Sequence, residues 1–280
     1  MTREKADFTA IRATKTYDAE TSLSLAAACD LAYKSENTCR STAKRWGFPG
    51  LTFVDIKKGN DIDTQAFVMS NDKDIVVVFR GTDGIKDWLS NFQAVSDPGP
   101  MNDTKAHEGF QDALYPAVIR LTTAIDDRRR SEQRIWVTGH SLGGALASLF
   151  AGMLIENKIP IYGLYTFASP RPGNHSFAEL LDAALEGGPH YRVVNAGDIV
   201  PHVPPEPFYS HSGKRIILKH NARKTDRKEW TAIRKKVFSL LMDIRNIVKA
   251  KTDIIGNHVL HDNKRGYLVR LKADLRRSKK

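Results

Sequence analysis

Cysteine is nearly absent: Cys29 and Cys39 are the whole complement of a 280-residue chain. Two thiols with no CxxC spacing and no His cluster around them exclude a disulfide framework and a structural zinc site. They read as free thiols in a reducing compartment. Long apolar runs are missing too. No stretch approaches the roughly 18–20 residues of a membrane span, and the first twenty residues hold no apolar segment of the signal-peptide kind. The expected location is the cytoplasm, or outside the cell by a route that needs no such leader. Repeats and low-complexity tracts are lacking, so the chain reads as one domain over residues 1–280 with a full hydrophobic core. Acidic residues are outnumbered 32 to 43, which leaves a formal charge of +11. That excess favours anionic surfaces, phospholipid headgroups among them. No nucleic-acid motif accompanies it, and nucleic acid is not an expected partner.

What is present alternates. Residues 18–45 have a helical apolar face, closed by Gly47, Pro49 and Gly50. Strand-like runs follow at Leu51–Ile56, Thr64–Ser70 and Asp74–Arg80, and the unbroken Ile75–Phe79 run suits a strand buried on both faces. Then come a helix near Gly109–Leu121, a strand at Ile135–Thr138, a helix near Ala145–Asn157, a strand at Tyr162–Phe167, a helix at Phe177–Leu185 and strands at Arg192–Asn195 and Arg215–Lys219. Four prolines make residues 201–209 an irregular surface loop. A basic amphipathic helix is expected over residues 226–250, within a basic stretch, 214–252, read as an insertion. A last helix is expected from near Asp262. Strands alternating with helices give an α/β fold, a mostly parallel central sheet with helices on both faces.

Gly139-His140-Ser141-Leu142-Gly143 sits between an apolar strand and an Ala- and Leu-rich helix. That context makes the glycine-x-serine-x-glycine pattern a nucleophile elbow. A serine nucleophile needs a histidine base oriented by a carboxylate, in the chain order serine, acid, histidine. Asp198 follows a strand in a tight Gly197-Asp198 turn, whereas Asp182 lies within a helix, so Asp198 is the acid. His258 and His261 both fall just before the last helix. Spacing alone does not separate them.

These residues resemble the class 3 lipases, over about Leu31 to Leu271. The resemblance is carried by Leu31-Ala32-Tyr33-Lys34, Phe79-Arg80-Gly81-Thr82, His107-Glu108-Gly109-Phe110, the serine motif, Ala168-Ser169-Pro170-Arg171, Asn195 to Pro201 and Tyr209-Ser210-His211-Ser212-Gly213. It implies an α/β-hydrolase fold and hydrolysis of acylglycerols or related lipid esters without a metal or organic cofactor. Phospholipids and short-chain esters are the alternative substrates, and a lipid-binding module without turnover is the non-enzymatic one. It further implies an oxyanion hole at Thr82 and Leu142, a lid carrying Ile85 and Trp88, and a structural role for His211. The family places an aromatic residue a few positions after the base. Tyr267 is six residues past His261 and nine past His258, which puts His261 first. Asn257, where the family often has Asp, argues for His258.

Overall fold

The computed structural model describes residues 7–58, 62–82, 93–130, 132–218, 257–261 and 265–279. Two helices open it, α1 (Ala19–Leu31) and α2 (Glu36–Arg45). The helix expected over residues 18–45 is therefore two. Ser35 stands between them in an extended conformation, the backbone state of a residue entering a new helix. Asp18 caps α1 by accepting the Thr21 N–H at 2.7 Å.

Strands β1 (Gly50–Lys58), β2 (Ile62–Ser70) and β3 (Asp74–Phe79) form an antiparallel meander. Short β4 (Ser96–Pro98) and β5 (Lys105–His107) make a separate ribbon leading into α3 (Glu108–Asp126). From there the chain alternates: β6 (Arg134–His140), α4 (Leu142–Glu156), β7 (Gly163–Phe167), α5 (His175–Ala184), β8 (His190–Asn195), β9 (Lys214–Leu218) and α6 (Tyr267–Ser278). The main sheet has seven strands in the order β1-β2-β3-β6-β7-β8-β9, and every pairing from β3 onward is parallel.

Side chains alternate across this sheet, as the two-residue period of a strand requires. Val76, Val78 and Trp136 face the core under α1, α2 and α6. Their neighbours Ile75, Val77, Ile135 and Val137 face the core under α3, α4 and α5. Both faces are thus covered, which explains the unbroken apolar runs of β3 and β6. Residues 214–218, the first five of the stretch read as an insertion, are the edge strand β9. The remainder, including the helix expected over 226–250, lies outside the described residues. The last helix begins at Tyr267, behind Gly266, rather than near Asp262. Among the described residues no helix is long and apolar enough to cross a membrane.

Parallel strands bring their carboxyl ends to one edge. Thr82, Ser141 and Asp198 stand just beyond β3, β6 and β8 at that edge, where open α/β sheets bind ligands.

Candidate active site

Ser141 occupies the turn between β6 and α4 with φ 58° and ψ −131°. For a residue with a side chain this is a strained backbone, costing on the order of 1–3 kcal/mol. Two close approaches hold it. A Cβ on Gly139 would lie 2.0 Å from the Gly143 carbonyl oxygen, and one on Gly143 would lie 2.4 Å from that of Phe79. Only glycine at both positions lets helix, elbow and β3 meet. The Ser141 N–H donates to the Phe167 carbonyl at 2.9 Å, which ties the elbow to β7.

His258 completes the arrangement. Its Nε2 lies 2.9 Å from Ser141 Oγ, and its Nδ1 lies 3.1 Å from each oxygen of Asp198. The side chains of His258 and Asp198 are 4% and 0% exposed. A carboxylate can only accept, so Nδ1 carries the proton and Nε2 is left to accept from the serine hydroxyl. Asp198 is itself over-determined. It also accepts the Tyr267 hydroxyl at 2.7 Å and the Val200 N–H at 3.0 Å. Burial and the Asp198 charge push the Tyr267 phenol well above its usual range, so it stays protonated and donates.

Residues 257–260, which carry His258, are anchored by their carbonyl groups. Asn195 Nδ2 donates to the Asn257 carbonyl at 2.9 Å, and His140 Nε2 to that of His258 at 2.8 Å. The Tyr267 and Leu268 N–H groups take those of Val259 and Leu260. Arg270 donates to the Asn257 side chain at 2.8 Å. Sequence reasoning did not single out Asn195, His140 or Arg270 for this. Only the place of His140 inside the serine motif marked it.

His261, put first on sequence grounds, is not in the cluster. Its side chain is 64% exposed and bonds Asp30 at 2.9 Å, at the end of α1. The spacing to the aromatic residue does not mark the base: the Tyr267 hydroxyl reaches Asp198, not the histidine, so its distance along the chain from either histidine decides nothing.

Leu142 is the first residue of α4, a position whose N–H has no acceptor within the helix. Thr82 follows Gly81, which packs so closely that a Cβ there would come within 3.0 Å of Ser141 Cβ. Both expected oxyanion donors thus adjoin the serine. Ile85 and Trp88 lie outside the described residues. Where the chain re-enters, His107 Nε2 donates to the Gln93 carbonyl at 2.6 Å and the Tyr209 hydroxyl to that of Val95 at 3.0 Å.

The proline loop is less superficial than expected. Pro201, Val203 and Pro204 are buried, and Arg171 reaches in and donates to the His202 and Pro204 carbonyls at 2.7 Å each. His211 donates to the Pro201 carbonyl at 2.7 Å, away from Ser141.

Burial holds several histidines neutral. His140 is pushed down to about 3, His202 to about 4, with Arg171 adding to the effect, and His107 and His211 also downward. An unfolded histidine binds a proton near pH 6.5 and these do not, so the stability they allow is complete above pH 6.5. It is lost as pH falls toward 3. Melting temperature is expected to drop steadily from pH 6.5 to pH 4; a constant value across that window would contradict the assignment.

A parallel sheet with a strained serine at a strand–helix elbow, backed by a buried histidine and aspartate in that chain order, is the α/β-hydrolase arrangement. The family described as Lipase (class 3) matches residues 76–208. The lipase of Rhizomucor miehei is 37% identical over 174 residues, 58% of this chain and 47% of that one. Secreted mono- and diacylglycerol lipase 1 of Fusarium solani is 35% identical over 52% of this chain and 44% of its own. Phospholipase A1-II 6 of Oryza sativa subsp. japonica is 31% identical over 52% and 44%. The solved Rhizomucor miehei triacylglyceride lipase superposes with a TM-score of 0.53 at 33% identity, covering 60% of this chain and 68% of that one. The chain belongs to the class 3 lipase family. It spans about half the length of the curated relatives it matches.

Proposed function

We propose that the protein hydrolyses lipid carboxylic esters, acylglycerols foremost, through an acyl-enzyme on Ser141. The observation that carries this is His258 bridging Ser141 Oγ and Asp198 in a water-poor site. His258 Nε2 takes the Ser141 proton as Oγ attacks the ester carbonyl. The Thr82 and Leu142 N–H groups, with the Thr82 hydroxyl, receive the developing oxyanion; such donors contribute about 2.7–4 kcal/mol each in comparable sites. Imidazolium, held by Asp198, protonates the departing alcohol. Water then enters, gives a proton to the same nitrogen and cleaves the acyl-enzyme, which restores Ser141.

Acylglycerols come first because the Rhizomucor and Fusarium relatives carry them in their names, and the rice phospholipase A1 supports glycerophospholipids as the second reading. The +11 charge supports transient contact with anionic lipid surfaces. One sheet running from β1 to β9 supports a single domain over residues 1–280, with the basic stretch 214–252 beginning in β9 and preceding the histidine in sequence. Residues 84–95 are assigned as the lid, on the family resemblance. Free, buried Cys29 and Cys39 suit a reducing compartment, so the cytoplasm is the proposed place of action, although the Fusarium relative is named as secreted.

The test is a series of p-nitrophenyl esters from acetate to palmitate, run beside labelling with a serine-directed fluorophosphonate. Turnover, together with a covalent adduct on the peptide that holds Ser141, is the expected result. The chain-length optimum separates lipase from short-chain esterase. An unlabelled Ser141 and no turnover, on dispersed or aggregated substrate, would overturn the proposal in favour of lipid binding without catalysis.

A further inference from the structure

His140 precedes the nucleophile in sequence, yet its ring turns away from it. Nε2 lies 2.8 Å from the main-chain oxygen of His258, and Nδ1 lies 3.0 Å from the Tyr33 hydroxyl. These two contacts fix its tautomer. A carbonyl oxygen can only accept, so Nε2 bears the proton; neutral Nδ1 then accepts from Tyr33. The ring is 4% exposed, and burial, with the neighbouring His258 adding to the effect, holds it neutral, down to about 3. It stacks obliquely beside His258, ring centres 5.0 Å apart. Tyr33 in turn is wedged into the corner made by β3 and β6. A Cβ on Gly81 would lie 2.4 Å from its hydroxyl oxygen, and the Arg80 guanidinium lies 5.5 Å above its ring.

We propose that Tyr33 and His140 form a positioning relay that holds the backbone of His258, and thereby its imidazole, against Ser141. Neither residue touches substrate. The need for it follows from the chain path. His258 arrives in a stretch of residues 257–261 that pairs with no strand of the sheet. Ser141, by contrast, is built into the sheet. Something must transmit the elbow's position to the histidine. The residue directly before Ser141 does so, because β6 moves the elbow and His140 together. Neutrality matters as well: a protonated ring 5.0 Å from His258 would oppose the imidazolium that forms during catalysis. The proton on Nε2 is spent on a carbonyl, so His140 cannot serve as a second base to Ser141.

The inference rests on the ester-hydrolase reading, and the test separates the two. Steady-state kinetics on a soluble short-chain ester would compare wild type with His140→Gln, His140→Phe and Tyr33→Phe. Gln keeps an N–H near the Nε2 position but offers Tyr33 no nitrogen acceptor. Phe removes both. His140→Phe is expected to lower kcat roughly tenfold or more, as sub-ångström misplacement of a base does, with KM within about twofold. His140→Gln is expected to stay within about threefold of wild type in kcat. Tyr33→Phe should lower kcat by about as much as His140→Gln does in the wild-type background and by nothing further in the His140→Gln background, since coupled residues are not additive. The last comparison needs only mild variants and stands even if His140→Phe does not fold. A Tyr33→Phe effect of equal size in both backgrounds, or Gln as damaging as Phe, overturns the relay. A wild type without turnover overturns the hydrolase reading itself, and the relay with it.

Discussion

Replacing His258 with alanine is expected to abolish ester hydrolysis as completely as Ser141→Ala does, by about a million-fold in kcat, whereas His261→Ala stays within a few-fold of wild type. Among the described residues only His258 reaches Ser141 Oγ, at 2.9 Å, while His261 faces Asp30 from the protein surface. Serine and base act as one unit, so the double variant Ser141→Ala/His258→Ala should be no slower than either single one. The residual rate would be that of the oxyanion donors and of binding alone. Burst and steady-state kinetics on a p-nitrophenyl ester give both comparisons. A large loss in His261→Ala with a mild one in His258→Ala would reverse the assignment, and would mean that the described stretch rearranges in the working enzyme.

Asp198→Asn is expected to cost about 10⁴-fold in kcat while leaving the protein folded. The substitution is nearly isosteric, but it changes what His258 meets. An amide can present N–H to Nδ1, which drives the imidazole into the tautomer with its proton on Nε2. That proton would point at Ser141 Oγ, and the base would be lost without any displacement. The amide oxygen can still accept from Tyr267 or Val200, the two other donors to this group. Stability should therefore suffer far less than activity. A variant retaining more than a tenth of wild-type kcat, with unchanged fold, would show that Asp198 does not set the tautomer.

The alternating pattern of the chain made the sheet legible, since apolar runs such as Ile75–Phe79 carry their burial in their composition. The serine was legible because its chemistry demands a local constraint: the elbow needs glycine at 139 and 143, and local sequence records that. Asp198 was found for a similar reason, as a turn residue at a strand end. The histidine was not, because nothing local constrains it. Its position depends on Asn195 and His140, both distant in sequence, and on irregular contacts from Tyr267, Leu268 and Arg270, and such contacts leave no periodicity to read. The same holds for the break at Ser35. Residues on both sides have apolar or helix-compatible patterns, and the two helices pack on different strands, α1 on β6 and α2 on β1.

Helix α1 packs against α6, and Tyr267, Leu268 and Leu271 join Leu23, Leu25 and Ala26 in one core. In the order of synthesis these partners stand far apart: α1 ends at Leu31 and α6 starts at Tyr267. At about 5–20 residues per second, α1 leaves the ribosome on the order of ten to fifty seconds before its partner exists. During that interval its apolar surface has only the early strands to lean on. Helix α6 thus closes this core from the same short stretch that brings in His258, so the packing of α1 and the completion of the contact with Ser141 and Asp198 come together.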